Sequence, residues 1–461
     1  MNNIELRQVN TGGCCDPAAK INVDITTSTH KELPIVVIGA GPVGLAAAAH
    51  LADKRERFIL IESGDSVGSN ILSWGHVRLF SPWQYNIDKI AKKTLENHGW
   101  NAPILDHLPL GGELVNEYLK PLANLPEIEP YLLLNTKVVS ISKKGFDKMK
   151  TANREKSSFV IYLEQNGMSK RIEARAVIDA TGTWSQPNPI NADSIWTSEE
   201  RELKQHIYYG IPDIKGEHKE RYKGKRVAVV GGGHSAINTI LELSQLNDEV
   251  EIIWIMRKKS VEDAYGGEDK DALQARGELG SRIHQLVDAG QVKVYTPFLI
   301  HQLTNTNDGI GITGESKGRE VTLSHIDEVI ANTGSRPDFS FIREIRLSID
   351  TATESVEALS PLIDPNLHSC GTVRPHGEEV LRQPEKDFYI AGMKSYGRSP
   401  TFLMATGYEQ IRSIIAHLTG DYESARKVEL DLPETGVCSV ILTPQNSTQS
   451  CCGTEVSKCQ R

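Results

Sequence analysis

Cysteine is scarce in this chain and absent from most of its length. The 461 residues include seven cysteines, and none lies between Glu62 and Gly182 or between Gly182 and Asp338. A thiol–disulfide relay needs paired reactive cysteines, so residues 63–337 cannot contain such a relay. Six of the seven lie toward the two ends of the chain, at Cys14, Cys15, Cys438, Cys451, Cys452 and Cys459.

Three further absences narrow the class of protein. No run of lysine and arginine forms a basic stripe, and 60 acidic residues outnumber 51 basic ones, so nucleic acid is not an expected partner. The start, MNNIELRQVN, lacks the basic and apolar regions of a signal peptide. The longest mildly apolar run, 33–51, is broken by glycines and Pro42, so we expect no membrane span. These features favour a cytoplasmic, reducing location, where thiols stay free.

What is present is, first, a glycine-rich turn directly after an apolar strand. Gly39, Gly41 and Gly44 form G-x-G-x-x-G around Pro42, and an alanine-rich segment typical of a helix follows. The first glycine permits a tight turn, the second lets backbone approach a pyrophosphate, and the third lets helix pack against strand. Glu62 ends the next strand, about 20 residues on, where a carboxylate binds ribose hydroxyls. The pattern predicts a dinucleotide site.

A second turn of this kind follows another apolar strand. Gly231, Gly233 and Ala236 form G-x-G-x-x-A, and the segment after them is typical of a helix. His234 and Ser235 stand at the start of that helix. We include both among the residues near a cofactor, although helix capping is their more ordinary role.

The strand after the second turn ends on cations instead of an acid. EIIWIMRKKS offers Arg257, Lys258 and Lys259. A carboxylate would repel the 2′-phosphate of NADPH, whereas arginine pairs with it. We therefore predict NADPH over NADH at this turn. The alternative is a solvated basic loop.

The strands alternate with helices, which predicts an α/β fold with parallel sheets. Two glycine turns then imply two Rossmann-like dinucleotide-binding domains. We expect one to hold the flavin FAD and the other to deliver hydride from NADPH, with the NADPH domain inserted into the FAD domain. The expected divisions are a flexible N-terminal segment 1–32, an FAD-binding domain in two parts, 33–200 and 326–420, an NADPH-binding domain 201–325, and a cysteine-bearing C-terminal tail 421–461.

This order resembles the two-dinucleotide-binding flavoproteins from about Pro34 to Leu418. Many of these proteins place an aspartate after the glycine of the last strand, whereas here Met393 follows Gly392. Backbone N–H groups near Thr401, with Arg398, would then contact the flavin. The cofactor contacts that the resemblance implies, besides the two glycine turns, are Thr181, Gly182, Gly392, Thr401 and Phe402.

Within this superfamily, reduced flavin passes electrons either to a disulfide or to oxygen. Disulfide reductases of the mercuric-reductase type carry a redox cysteine pair, which the body of this chain lacks. Flavin monooxygenases need no such pair, and their linker fingerprint is met only in part by His206 and Tyr209 in SEERELKQHIYYGIPD, since its F-x-G is missing. The alternatives that stay open are an S- or N-oxygenase of small organic molecules and an NADPH-dependent reductase of thiol-bound metal or disulfide.

The C-terminal third carries a more specific resemblance. The segments SPLIDPNLHSCGTVRPHGEEVL, DFYIAGMKSYGRSPTFLMATGYEQ and LPETGVCS, with GGGHSAIN, are similar to flavin monooxygenases of arsenic-resistance gene clusters. That resemblance implies FAD, NADPH and O₂ as reactants. It also implies a small-molecule substrate, a trivalent arsenical such as methylarsenite, oxidised to the pentavalent form.

The terminal cysteines fit such a substrate, because trivalent arsenic is soft and binds thiolates. Cys451 and Cys452 are adjacent, with Cα atoms ~3.8 Å apart, too close for an unstrained disulfide. Cys14 and Cys15 repeat the arrangement. We predict that these four, with Cys438 and Cys459, are arsenic(III) ligands. The alternative is a flexible tail whose cysteines have no function.

Four residues are candidates for a catalytic role. Cys370 stands near His368 and His376 and could receive the metalloid, or it could be a buried structural thiol. Arg78, Lys394 and Arg398 could supply positioning charge, or they could be surface residues. The aromatic loop 72–83 is expected beside the flavin ring. The oligomeric state is left open, with a homodimer as the candidate.

Overall fold

The computed structural model describes residues 32–246, 250–271, 274–365, 375–399 and 402–430. The strands within these residues are β1 (Ile35–Ile38), β2 (Phe58–Ile61), β3 (Leu132–Leu133), β4 (Lys137–Lys143), β5 (Phe159–Gln165), β6 (Met168–Ala174), β7 (Ala176–Asp179), β8 (Ile207–Tyr209), β9 (Arg226–Val230), β10 (Glu251–Ile255), β11 (Val292–Tyr295), β12 (Leu299–Thr306), β13 (Gly309–Ser316), β14 (Arg319–Ile326), β15 (Glu328–Ala331) and β16 (Phe388–Ile390).

The α-helices of the described residues range from single turns to 15 residues. They are α1 (Pro42–Asp53), α2 (Ser69–Leu72), α3 (Trp83–Asn86), α4 (Lys89–Asn97), α5 (Gly111–Glu113), α6 (Lys120–Ala123), α7 (Ser198–Glu202), α8 (Lys219–Tyr222), α9 (His234–Leu243), α10 (Glu262–Tyr265), α11 (Gln274–Asp288), α12 (Ser360–Ile363), α13 (Glu378–Leu381), α14 (Met404–Leu418) and α15 (Tyr422–Arg426). None of them is long and apolar enough to cross a bilayer.

The first sheet is parallel throughout and has the strand order β16-β7-β1-β2-β3. Its strands β1 (IVVI) and β2 (FILI) are buried at every position. They read as continuous apolar runs because helices and loops cover both faces of a parallel sheet. Helix α1, with four consecutive alanines, is almost wholly buried against α14.

The second sheet is also parallel and has the order β11-β10-β9-β15-β8. Two such sheets confirm the predicted α/β fold with Rossmann-like units. One expected boundary is wrong: β15 pairs with β9 and β8, so residues 328–331 belong to the second sheet and not to the returning part of the first domain. The returning part supplies β16, which pairs with β7.

Two three-stranded antiparallel sheets accompany the parallel ones. One consists of β4, β5 and β6, and the other of β12, β13 and β14. Apolar side chains fill one core around the first parallel sheet and two cores on either side of the second. The carboxyl ends of β1, β7 and β16 meet at one edge, and those of β9, β10 and β15 meet at another. In open α/β sheets, ligands bind at such edges.

Candidate functional site

The first glycine turn joins β1 to α1 and leaves no room for a side chain at its first and third glycines. Gly39 has φ +94°, a left-handed conformation that favours glycine. A Cβ added to Gly39 would lie 2.7 Å from the Ala180 carbonyl oxygen, and one on Gly44 would lie 1.8 Å from the Gly39 carbonyl oxygen. Gly41 differs, because no other atom lies within 4 Å of the Cβ position there. Open space therefore faces the middle glycine, where a pyrophosphate would approach.

The start of α1 presents free backbone N–H groups to that space. Gly41 is the N-cap residue and offers no side-chain cap, while Pro42 occupies the first helical turn. No acidic residue lies in this first turn. The uncapped N–H groups and the positive end of the helix dipole suit a phosphate.

Glu62, which follows β2, binds the turn as well as facing the site. One carboxylate oxygen accepts the Ala40 N–H at 2.8 Å, and the other accepts the Gly64 N–H at 2.8 Å. The residue is only 8% exposed. The Ser63 and Ser69 hydroxyls also donate to this carboxylate, each at 3.3 Å. A carboxylate can accept about four hydrogen bonds, so ribose hydroxyls would take the place of these two longer ones. The predicted turn and acid are thus brought together.

The second turn repeats this geometry with different neighbours. Gly231 has φ +141°, and a Cβ there would lie 2.3 Å from the Asn332 carbonyl oxygen. The indole N–H of Trp254 donates to the Gly231 carbonyl at 2.6 Å. At Gly233 nothing lies within 4 Å of the Cβ position, so the second turn also opens toward a ligand. Ala236 stands fully buried where the first turn has its third glycine.

Helix α9 begins without a side-chain cap. Its N-cap is Gly233, and within the described part of the chain neither His234 nor Ser235 makes a side-chain hydrogen bond to the helix start. The capping role expected for these two residues is therefore wrong. The physical reason is that the turn already ends on glycine in an extended conformation, which leaves the first N–H groups free for a ligand.

The predicted cations lie at the carboxyl end of β10. Arg257 is exposed and donates to the Ala192 carbonyl at 3.3 Å. The Lys258 ammonium donates to the Asp263 carbonyl, and its methylene carbons lie 3.2 Å from the Cβ position of Gly232. Lys258 therefore extends across the turn itself. No carboxylate takes the place that Glu62 has in the first domain.

A buried ion pair lies at the edge of the first sheet. The Lys394 ammonium lies 2.6 Å from an Asp179 carboxylate oxygen, and both side chains are fully buried. The same ammonium donates to the Thr181 hydroxyl at 3.2 Å, and Thr181 in turn donates to Asp179 at 2.7 Å. Lys394 is thus no surface residue. It fixes the predicted cofactor residue Thr181 beside the first turn.

The sequence matches the pyridine nucleotide-disulphide oxidoreductase family over residues 36–361. The chain belongs to this family. Membership makes the protein an oxidoreductase of a group that depends on FAD and NADP(H), which confirms the predicted enzyme class and cofactors.

Relatives of this family member include both reductases and hydroxylases. Ferredoxin–NADP reductase of Lactobacillus gasseri is 23% identical over 69% of this chain and 80% of its own length. That of Lactiplantibacillus plantarum is 26% identical over 68% and 76%. Among solved structures, bacillithiol disulfide reductase from Bacillus cereus has a TM-score of 0.59 at 17% identity, covering 86% of this chain and 99% of that one. Ornithine N-hydroxylase from Kutzneria sp. 744 has a TM-score of 0.57 at 14% identity, covering 85% and 99%.

The C-terminal segment that follows β16 lies beside the first glycine turn. Gly392 has φ +70°, and a Cβ there would lie 3.2 Å from the Val43 side chain on α1. Its N–H donates to Gln410 at 2.8 Å. Phe402 packs edge-on against Tyr396, with ring centres 5.3 Å apart. These contacts place the segment beside α1, although its expected flavin contacts stay a prediction.

The remaining predicted residues fall in two groups. Arg78 is exposed and donates to the Leu108 carbonyl at 2.5 Å, and the half-buried Arg398 has no side-chain hydrogen bond to the described residues. Gly182 adjoins the first turn and has φ +69°. The predictions that lie outside the described residues are Thr401, Cys370 and the terminal cysteines Cys14, Cys15, Cys438, Cys451, Cys452 and Cys459.

The aromatic loop 72–83 contacts both the first domain and the start of α9 in the second. The indole N–H of Trp184 donates to the Ser73 hydroxyl at 2.8 Å, and the Phe80 ring centre lies 5.8 Å from that of His234 on α9. Burial lowers the pKa of His234 to about 4, and the nearby cation of Arg276 acts in the same direction. His234 is therefore neutral near pH 7. The loop's expected position beside the flavin stays a prediction.

A cavity of about 80 Å³ lies beside the start of α9. Its lining includes Trp184, Tyr209, Ser235 and Asn332. The Asn332 amide N–H donates to the Gly210 carbonyl at 2.8 Å, while its carbonyl oxygen has no partner among the described residues. Asn332, which brings this polar atom beside the second turn, is a site residue that the sequence analysis does not predict. The Thr-Gly pair that follows both β7 and β15 is the sequence signal that could have indicated this residue.

Proposed function

We propose that this enzyme is an FAD- and NADPH-dependent monooxygenase that oxidises a soft trivalent substrate, most simply methylarsenite, to the pentavalent form. The observation that carries the proposal is the lack of any cysteine in 32–365, the stretch that builds both glycine turns. Electrons that reach the first site thus meet no thiol relay in that stretch. The sequence resemblance to arsenic-resistance monooxygenases supports oxygen as acceptor, and the fold is one that an N-hydroxylase also has.

The first turn would hold FAD. The N–H groups at the start of α1 would bind its pyrophosphate, and Glu62 would accept hydrogen bonds from its ribose hydroxyls. Gly41 leaves the space that the phosphates need. Bound FAD would accept hydride from NADPH and pass electrons to oxygen.

The second turn would hold NADPH. The start of α9 would bind its pyrophosphate, while Arg257 and Lys258 would pair with its 2′-phosphate. Around the reacting atoms, the protein's part is to position the reactants and to exclude water. The overall reaction balances as NADPH, a proton, O₂ and a trivalent arsenical giving NADP⁺, water and a pentavalent arsenical with one added oxygen.

The cysteines have a proposed role in substrate capture. Two adjacent thiolates such as Cys451 and Cys452 suit a monomethylated arsenic(III), which can take two sulfur ligands. Cys14, Cys15, Cys438 and Cys459 would serve the same purpose, and Cys370 would receive the metalloid nearer the flavin. All seven lie outside the described residues, so this role depends on soft-ligand chemistry and on the resemblance.

The test is NADPH oxidation by the purified flavoprotein with methylarsenite, with arsenite and with no substrate, each in air and without oxygen. We expect oxidation that depends on both methylarsenite and oxygen, with pentavalent product. The variant Cys451→Ser/Cys452→Ser should raise the KM for methylarsenite. If turnover depends on substrate but is indifferent to these changes, the capture role is wrong and the oxygenase assignment stands.

A reductase is the second candidate, and the ferredoxin–NADP reductase relatives favour it. Such an enzyme would pass electrons from NADPH to an external acceptor without consuming oxygen. Substrate-dependent NADPH oxidation that continues at the same rate under argon would select the reductase over the monooxygenase. Oxygen-dependent turnover with thioethers or amines, but not with arsenicals, would instead select an S- or N-oxygenase.

A further inference from the structure

An arginine that no motif predicts lies near the second glycine turn. Arg276 on α11 forms a two-point ion pair with Asp271, with Nε–Oδ2 2.6 Å and Nη2–Oδ1 2.8 Å. The two side chains are only 10% and 5% exposed. Burying a cation this deeply is costly unless it is paired and oriented. The pair therefore holds the guanidinium in one position.

That position is next to the start of α9. The Arg276 guanidinium carbon lies 5.9 Å from the centre of the Phe80 ring, and the His234 ring centre lies 5.8 Å from the same ring. Phe80 thus packs against both side chains. His234 is the first residue of α9, so Arg276 brings a fixed positive charge to the end of the helix that already carries the positive pole.

The guanidinium keeps donors for a ligand. Arginine has five N–H donors, and the contacts with Asp271 use Nε and Nη2. Within the described residues, Nη1 makes no hydrogen bond. A phosphate could therefore bind Arg276 without breaking its pair with Asp271. The open Cβ position at Gly233 leaves room for that phosphate at the helix start.

We propose that Arg276 binds the pyrophosphate of NADPH at the start of α9, and that Asp271 is the positioning residue that orients its guanidinium. This inference rests on the assignment of the second turn to NADPH. It separates two tasks: Arg257 and Lys258 recognise the 2′-phosphate, which only NADPH has, and Arg276 recognises the pyrophosphate, which NADPH and NADH share.

The test compares dissociation constants for NADPH, NADH and reduced nicotinamide riboside, which lacks both phosphates of the pyrophosphate. Arg276→Gln should weaken NADPH and NADH alike, by roughly 10- to 100-fold, the loss of a charge-assisted hydrogen bond. It should leave the affinity for the riboside within about twofold, since the riboside has no phosphate for Arg276 to bind. Arg276→Lys should restore part of the loss, and Asp271→Asn should weaken the same two ligands by a smaller factor.

The controls distinguish this role from a purely structural one. Arg282→Gln changes an exposed arginine on the same helix and should alter no affinity. Lys258→Gln should weaken NADPH but not NADH. If Arg276→Gln lowers the melting temperature yet leaves the ratio of NADH to riboside affinity unchanged, Arg276 is structural and the inference is wrong. If the wild type binds no NADPH, the assignment of the second turn fails first.

Discussion

The two glycine turns have nearly the same backbone and opposite chemical surroundings. In the first, Glu62 accepts the N–H groups of Ala40 and Gly64, so the turn is bound to a carboxylate. In the second, Lys258 extends across Gly232, and Arg276 lies near the start of α9. In the proposed function, the backbone would bind phosphate in both turns, and the residues after the second strand of each unit would select the dinucleotide.

The two units also differ in the strand that pairs with the strand before each glycine turn, which is β7 in the first sheet and β15 in the second. VIDATG at 177–182 and VIANTG at 329–334 are similar, but Asp179 stands where the second unit has Ala331. Asp179 is paired with Lys394 in the buried interior, whereas Ala331 borders the cavity beside α9. The first site is therefore anchored by an ion pair, and the second has an open polar edge.

The largest effect, destabilisation together with loss of bound FAD, is expected from a single methyl group in the first turn. Gly44→Ala would place a Cβ 1.8 Å from the Gly39 carbonyl oxygen, so α1 must move away from β1. We expect about 3 kcal/mol or more of destabilisation and loss of bound FAD. The matched change, Ala236→Gly, should cost only about 1 kcal/mol, the helix propensity difference. The measurements are thermal unfolding and the ratio of flavin to protein absorbance; equal effects would show that the turns pack alike.

The next effect concerns the buried pair. Lys394→Met leaves the Asp179 carboxylate buried without its cation, which should cost about 3–5 kcal/mol. The double variant Asp179→Leu/Lys394→Met should recover much of that loss, because no charge is then left unpaired. Urea unfolding of the two variants and the wild type measures this. A single variant as stable as the wild type would contradict the anchoring role.

A smaller effect is expected on dinucleotide preference. Arg257→Gln and Lys258→Gln should each weaken NADPH binding by roughly 10- to 100-fold, since each removes a charge-assisted hydrogen bond. NADH, which lacks the 2′-phosphate, should bind as before. Fluorescence titration with both dinucleotides measures the ratio. If both ligands weaken together, the basic segment does not recognise the 2′-phosphate.

The last effect, confined to acidic pH, is a pH dependence that the first turn lacks, since α1 begins with Pro42 where α9 begins with His234. The folded-state pKa of His234 is lowered from 6.5 to about 4 by burial, with Arg276 and Lys258 adding to the shift and Asp271 opposing it. The unfolded chain therefore binds the proton more readily, and stability should fall as the pH drops from about 6.5 to 4. Unfolding free energies of wild type and His234→Asn across this range measure it. If the unfolding free energies of the two proteins change with pH in parallel, His234 is not the source of this pH dependence.

Much of the scaffold was predictable because its signals are local. Gly39 and Gly231 each follow an apolar strand, and the helices expected after the two glycine turns are present as α1 and α9. Glu62 lies about 20 residues after its turn, within the span of one βαβ unit. These features need only neighbouring residues to be recognised.

The contacts that fix the site were not predictable, because their partners are distant in sequence. Lys394 and Asp179 are 215 residues apart, and nothing near Lys394 indicates that it is buried. Arg276 meets Phe80 only because the loop 72–83 reaches the second domain. The boundary at 326 was wrong for a related reason: β15 resembles any buried strand, and only its pairing with β9 and β8 assigns it to the second sheet.

In the proposed function, electrons pass from NADPH at the second turn to FAD at the first. The direct measurement is the absorbance of the bound flavin after mixing with NADPH in the absence of oxygen. We expect the flavin to bleach at a rate that saturates with NADPH, and Lys258→Gln should require a higher NADPH concentration for the same rate. A purified protein that binds flavin but stays oxidised under saturating NADPH would contradict the account.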